Sequence, residues 1–316
     1  FDLAGFVSLP PHGSQKRITV PRRMSEELAF FLGAYAAEGH MTRSVHTIKI
    51  ANTDEGVIAR LCRLSEHLFG IAAAVRRQPD QCPSVELSSK TLCEFFDYLG
   101  CGDRAANKRI PDAVLQSPRE MVLSFLSGLS LDSYLPASLP KWAICLDSAG
   151  MLDDLQAVLT NLGVVHSRIT KHNAAYDKSF DEVYAHGPHA QRIASLIEFP
   201  EDHKRLRALE IQALTIGGSH TDVIPGLDGQ KLYDSIPRGT SGRNGRGTGR
   251  QAFRHLVDAR TTHVSRASLE RVATVPGVEL EDWLHTILDR SLHFTPVTSA
   301  PPGGRPGASA VPGPTP

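Results

Sequence analysis

The feature that most constrains this chain is a repeat of roughly 95 residues inside it. Met24–Ala37 (MSEELAFFLGAYAA) reads as a helix with Ser25 as N-cap, acids Glu26 and Glu27 in its first turn, and an end at Glu38-Gly39. A strand, HTIKIAN, follows with Ile48 and Ile50 alternating. An amphipathic helix then places Val57, Leu61, Leu64 and Leu68 on one face. Strands IAAAVRRQ and SVELSS and a helix KTLCEFFDYLG close the unit. The order recurs with a helix capped by Ser117, strand KWAICLDS, helix AGMLDDLQAVLTNLG, strands VVHSRITK and FDEVYAHG, and helix PHAQRIASLIEF. Gly33 matches Gly128, Ile48 matches Ile144, and Gly70 matches Gly163. A period this long, seen twice, predicts a duplicated domain that forms a pseudo-dimer, whereas solenoids repeat every 20 to 50 residues or so.

Around this repeat the chain divides by texture. The expected segments are a linker over 1–23, the two repeats over 24–115 and 116–215, a basic and helical accessory subdomain over 216–292, and a Pro/Gly-rich disordered tail over 293–316. In the accessory part, HVSRASLERVA, capped by Ser265, and ELEDWLHTIL suggest a helix-turn-helix-like pair.

Composition excludes more than it proposes. With 34 basic and 34 acidic residues the net charge is zero and names no partner, so any case for nucleic acid rests on where the charges lie. The five cysteines form no CxxC pair and read as reduced thiols of a cytoplasmic protein. No signal peptide and no apolar run of spanning length is visible, so no membrane partner is expected. P-loop, dinucleotide and nucleophile-elbow motifs are missing. The start at Phe1 without Met suggests a fragment of something longer.

Four blocks in order carry a family resemblance: FLGAYAAEG (31–39), Lys108-Arg109-Ile110-Pro111, FLSGLSLDSY (125–134) and FPEDHKRLRAL (199–209). Together they resemble the LAGLIDADG (DOD-type) homing endonuclease domain of inteins. That resemblance implies an α+β fold, a duplicated αββαββα pseudo-dimer with a small, mostly helical C-terminal subdomain. It further implies that Glu38 and Asp132 hold Mg²⁺ where the two motif helices meet, and that Lys108 and Lys204 assist phosphodiester hydrolysis. Counted from Gly128, the family's acid falls on Ser133 and its glycine on Tyr134, so Asp132 is one residue early. Such a shift turns a helical side chain by about 100°. Either Asp132 serves in a different ending, or the second site has decayed.

The partner implied is double-stranded DNA, bound by a monomer whose sheets lie in the major groove. Candidate contacts are His46, Lys49, Arg76 and Arg77 in the first half, and Lys141, Arg168, Lys171, His172 and Lys178 in the second. Acids look scarce on these strands. The Gly/Arg-rich stretch 235–254 adds Arg243, Arg246 and Arg250 as phosphate contacts. The opening FDLAGFVSLP…ITVPRRM resembles the segment before the endonuclease in ribonucleotide reductase inteins, but a first Cys or Ser and a terminal His-Asn are missing, so splicing by this chain alone is not expected. The expected function is a site-specific DNA endonuclease. The alternatives are a DNA-binding relic that no longer cuts, or a fragment of a protein-splicing intein.

Overall fold

The computed structural model describes residues 2–7, 18–174, 177–216, 222–237, 250–258 and 263–290. The first repeat runs α1 (Glu26–Glu38), β1 (Gly39–Thr42), β2 (Thr47–Ala51), α2 (Glu55–Phe69), β3 (Ala74–Arg76), β4 (Ser84–Ser88) and α3 (Lys90–Tyr98). A short helix α4 (Asp112–Leu115) leads into the second: α5 (Arg119–Leu129), β5 (Ser133–Tyr134), β6 (Lys141–Leu146), α6 (Ala149–Asn161), β7 (Ser167–Asn173), β8 (Lys178–His186) and α7 (Pro188–Leu196). Helix α8 (Asp202–Ala213) closes it. Both sheets are antiparallel and share one strand order, β1-β2-β4-β3 and β5-β6-β8-β7. The expected α+β duplication is therefore present strand for strand.

Each sheet buries one face under helices. Ile48, Ile50, Val85 and Leu87 turn inward in the first, and Trp142, Ile144, Val183 and Ala185 in the second. The alternate residues form an outer face away from the helices. All of this belongs to one apolar core that spans both repeats.

The repeats meet through α1 and α5, and the contact is reciprocal. A methyl group on Gly33 would lie 2.0 Å from the carbonyl oxygen of Phe125 and 2.9 Å from the Leu129 nitrogen. One on Gly128 would lie 2.2 Å from the Phe30 oxygen and 2.6 Å from the Ala34 nitrogen. Phe30 and Ala34 occupy in α1 the places of Phe125 and Leu129 in α5, so the two helices present the same patch to one another, as a twofold contact requires.

Three local expectations need correction. Strands β1 and β5, which the αββαββα pattern implies, have no segment in the residue-by-residue reading, because they issue directly from helix ends with no turn residues and are too short to show alternation. Ser117 does not cap α5: its hydroxyl donates to the Ala113 carbonyl at 2.6 Å, and Pro118 takes the cap position. Gly39 does end α1, but in extended backbone (φ −93°, ψ 160°). Its missing side chain matters for space, since a methyl there would lie 2.5 Å from the Tyr35 carbonyl oxygen.

Beyond α8 a second apolar core gathers β9 (Val223–Ile224), α9 (Gly229–Ser235), a 3₁₀ helix (Arg250–Val257), β10 (Val264–Ser265), α10 (Arg266–Ala273) and α11 (Asp282–Arg290). Ser265 caps α10 as expected, accepting from the Ser268 amide. Among the described residues no helix is long and apolar enough to cross a membrane.

Candidate metal and nucleic-acid site

The site grows from the two helix ends. Helix α1 stays α-helical through Glu38. Helix α5 stops at Leu129 and finishes in a 3₁₀ turn, Ser130–Asp132, with Ser133 already extended. Three residues of 3₁₀ helix rise about 6 Å and turn about 360°, whereas four α residues rise about 6 Å and turn about 400°. The tighter ending thus covers nearly the same distance and rotation with one residue fewer. Asp132 becomes the last helical residue, as Glu38 is in the first repeat, and the one-residue register difference is absorbed. Ser133 is buried, and its hydroxyl donates to the Ser130 carbonyl at 2.8 Å.

A lysine sits on each ending. Lys108 Nζ donates to the carbonyls of Tyr35 (3.0 Å) and Ala36 (2.9 Å). Lys204 Nζ donates to those of Ser130 (3.2 Å) and Leu131 (2.6 Å). The Tyr35 and Ser130 carbonyls also accept from the Gly39 and Ser133 amides, and a cation is the favoured group at a helix C-terminus. Both lysines are buried. Lys204 is also ion-paired to Glu201, a buried acid that sequence reasoning passed over although it lies three residues upstream in the same block.

Electrostatics bind the four groups into one cluster. Burial raises the Asp132 pKa to about 7, and the charge of Glu38 adds to that rise against the pull of Lys204 and Lys108. Glu38 is likewise raised, chiefly by burial and partly by Glu201, with both lysines opposing. Burial lowers the Lys108 pKa to about 8, although Asp132 and Glu38 favour its charged form. Two carboxyls pushed upward by desolvation, Asp132 also by the charge of Glu38 and Glu38 by that of Glu201, form a place where added positive charge is stabilising. Among the described residues no group of three or more His, Cys, Asp or Glu side chains is arranged for a metal ion. A Mg²⁺ ion held mainly by water and phosphate oxygens needs only one or two carboxylates, so this pair fits it.

The expected DNA contacts divide by face. Lys49 and Arg76 lie on the outer face of the first sheet, joined by His40, which sits opposite Lys49 on β1. Lys141, Lys171 and Lys178 lie on the outer face of the second. Arg168 and His172 do not: they alternate with Lys171 along β7, and Arg168 reaches Asp153 of α6 at 2.7 Å. Arg77 lies past the end of β3 and pairs with Glu55 at the start of α2. His46 ends the turn before β2 in a left-handed conformation (φ 49°). Arg250 is ion-paired to Asp234 and stacks on Tyr233. Arg243 and Arg246 lie outside the described residues.

Nor are acids scarce on these sheets, contrary to the expectation from sequence. Glu86 and Glu182 occupy equivalent buried places on the two outer faces, because both belong to strands whose alternation turns them there. Glu86 holds Lys49 at 2.8 Å and Arg76 at 3.2 Å. Glu182 holds Lys141 at 2.6 Å and Lys171 at 2.5 Å, and accepts from the Tyr134 hydroxyl. Burial alone would raise the Glu182 pKa, but these donors bring it down to about 2.

Residues 25–100 match the family model described as a LAGLIDADG-like domain. That is the first repeat, and the second shares its topology. Among curated proteins the chain is similar to the replication factor C small subunit of Methanocaldococcus jannaschii, 29% identical over 197 residues, or 59% of this chain and 10% of that protein. It also resembles an A-type ATP synthase polypeptide of Pyrococcus abyssi, 26% identical over 71% of this chain and 20% of that protein. A DNA polymerase of Thermococcus sp. is 28% identical over 48% of this chain and 9% of its own length. The chain thus spans a fifth or less of each relative. Among solved structures, I-DmoI in complex with DNA and Ca overlays with a TM-score of 0.45 at 14% identity, covering 58% of this chain and 98% of that one. Full-length DUF199/WhiA from Thermatoga maritima overlays with a TM-score of 0.41 at 13% identity, covering 62% and 64%.

Proposed function

We propose that this chain is a site-specific, divalent-metal-dependent DNA endonuclease of the intein homing class, acting as a cytoplasmic monomer that imitates a dimer. The observation that carries the reading is the convergence of Glu38 and Asp132 at the ends of two helices crossing at Gly33 and Gly128, each ending held by a buried lysine. Glu38 and Asp132 are the residues that would hold Mg²⁺, which supplies water activation and charge stabilisation in phosphodiester hydrolysis. Lys108 and Lys204 fix the backbone that carries the acids, and their positive charge favours a phosphate nearby. Lys49, Arg76, Lys141, Lys171 and Lys178 offer cationic outer faces to the groove on either side.

The intein setting draws support from the relatives. A replication factor, an ATP synthase and a DNA polymerase are different proteins, and each matches this chain over a fifth or less of its own length. A segment that recurs in unrelated hosts behaves as an insert rather than as part of any host's machinery.

A second reading, a DNA-binding chain that no longer cuts, is favoured by Ser133 and Tyr134 falling, by residue count from Gly128, where the first repeat has Glu38 and Gly39. Duplex selected from a randomised library and then incubated with Mg²⁺ separates the two. Cleavage of both strands supports the enzyme, and tight binding with one strand nicked supports decay of the second site. The absence of any selected duplex would remove both readings.

A further inference from the structure

The two outer faces carry one feature at the same register. Arg76 of β3 lies opposite Ser84, and Lys171 of β7 lies opposite Phe180, the equivalent place in the second sheet. Each cation is tied to the buried carboxylate of the neighbouring strand, Glu86 or Glu182. Each remains partly open to solvent, 58% for Arg76 and 38% for Lys171. We propose that Arg76 and Lys171 are the specificity-determining pair of this chain, each reading a guanine, at positions related by the twofold axis of the pseudo-dimer. This rests on the reading of the sheets as a DNA-binding surface and says what that surface selects.

The chemistry follows from how the cations are held. A phosphate rewards undiluted positive charge, and these two charges are offset by a carboxylate fixed behind them. What they retain is aimed donors. Lys171 spends one N–H on Glu182 and one on the Tyr134 hydroxyl at 3.2 Å, leaving one of its three. Arg76 meets Glu86 through Nε, which leaves the guanidinium edge formed by its two terminal nitrogens. Fixed donors on a groove-facing sheet select an edge rich in acceptors. Guanine alone offers two adjacent acceptors, O6 and N7, which the two terminal nitrogens of Arg76 can meet one each and the single remaining N–H of Lys171 can share, whereas adenine sets an amino donor beside N7 and thymine a methyl beside O4. Because ordering was completed on folding, little side-chain entropy is lost on binding. The twofold relation then places the two guanines on opposite strands at equal distances from the centre of the site.

The test is selection of duplexes from a randomised library by the full chain, with Ca²⁺ in place of Mg²⁺ so that bound DNA stays intact. Two guanines so placed are expected. Arg76→Ala should relax one of them and Lys171→Ala the other, each by about tenfold, with other positions unchanged. Lys171→Arg, which keeps a partner for Glu182 and guards against misfolding, should retain its guanine. Selected sites lacking the symmetric guanines, or unchanged preference in both alanine variants, would overturn the pair while leaving DNA recognition standing. No enrichment of any sequence would overturn DNA recognition and the pair with it.

Discussion

The two repeats reach the same arrangement by different local routes. The first ends its motif helix in regular α geometry, with Glu38 followed by a glycine that Tyr35 leaves no room to replace. The second reaches the equivalent point with one residue fewer, through a 3₁₀ turn tied by Ser133, Lys204 and Glu201. The longer Glu side chain sits on the longer ending and the shorter Asp on the tighter one. A duplicated fold can therefore drift in sequence at its site as long as helical rise and rotation compensate, and a motif aligned by residue count will then misplace the acid.

The sharpest way to break this equivalence is at the crossing. Gly33→Val and Gly128→Val should each cost about 3 kcal/mol or more, or prevent folding, because either side chain meets the partner's backbone. Thermal unfolding reads this directly, and a strongly unequal pair of losses would argue against a twofold contact. At the acids, Glu38→Gln and Asp132→Asn should each lower cleavage by about a hundredfold or more while binding with Ca²⁺ persists. A plasmid nicking assay would then show which strand each half cuts. Full double-strand cleavage by Asp132→Asn would end the assignment of Asp132.

Smaller effects sharpen the comparison of the two lysines. Lys108→Met and Lys204→Met should each cost about 1–3 kcal/mol of stability from lost helix-end bonds. Lys204→Met should be the worse of the two, because it leaves the buried Glu201 without its cation. Equal losses would mean that Glu201 contributes nothing to holding the 3₁₀ ending.

Acid titration supplies the last contrast, with opposite signs. Asp132 has a folded pKa raised to about 7 from 3.8, so its contribution to stability is present below about pH 4 and is lost as pH rises through 7. Glu182 is lowered to about 2 from 4.5, so its contribution is present above about pH 4.5 and is lost as pH falls toward 2. In metal-free protein, Asp132→Asn should raise the melting temperature at pH 8 more than at pH 5, and Glu182→Gln should lower it more at pH 6 than at pH 2.5. Added Mg²⁺ should shrink the first difference. A melting curve for Asp132→Asn with no pH dependence relative to the parent would show that the carboxyl is not held out of water.

Much of the fold was legible because it rests on local patterns. The caps Ser25 and Ser265, the alternation of Ile48 with Ile50, and the glycine pair at 33 and 128 all write their structural role into nearby residues. The outer faces were legible only in part. Arg168 and Lys171 lie three residues apart on one strand and so on opposite faces, and a list of basic residues does not record that alternation. His40 was missed because β1 is four residues long and leaves a helix without a turn to announce it.

The sequence by itself determined the duplication and most of the helices and strands of each repeat, because caps and apolar periods act over a turn or two of chain, while the meeting of the motif helices and the place of Glu38 were expectations that the resemblance implied. Only the tertiary structure decided the rest. Asp132 takes its place because Lys204 and Glu201, about seventy residues away, stabilise a 3₁₀ ending over its α alternative, which differs from it by only a small local energy. The cations of the outer faces are likewise aimed by Glu86 and Glu182 from neighbouring strands, across contacts that no local pattern encodes.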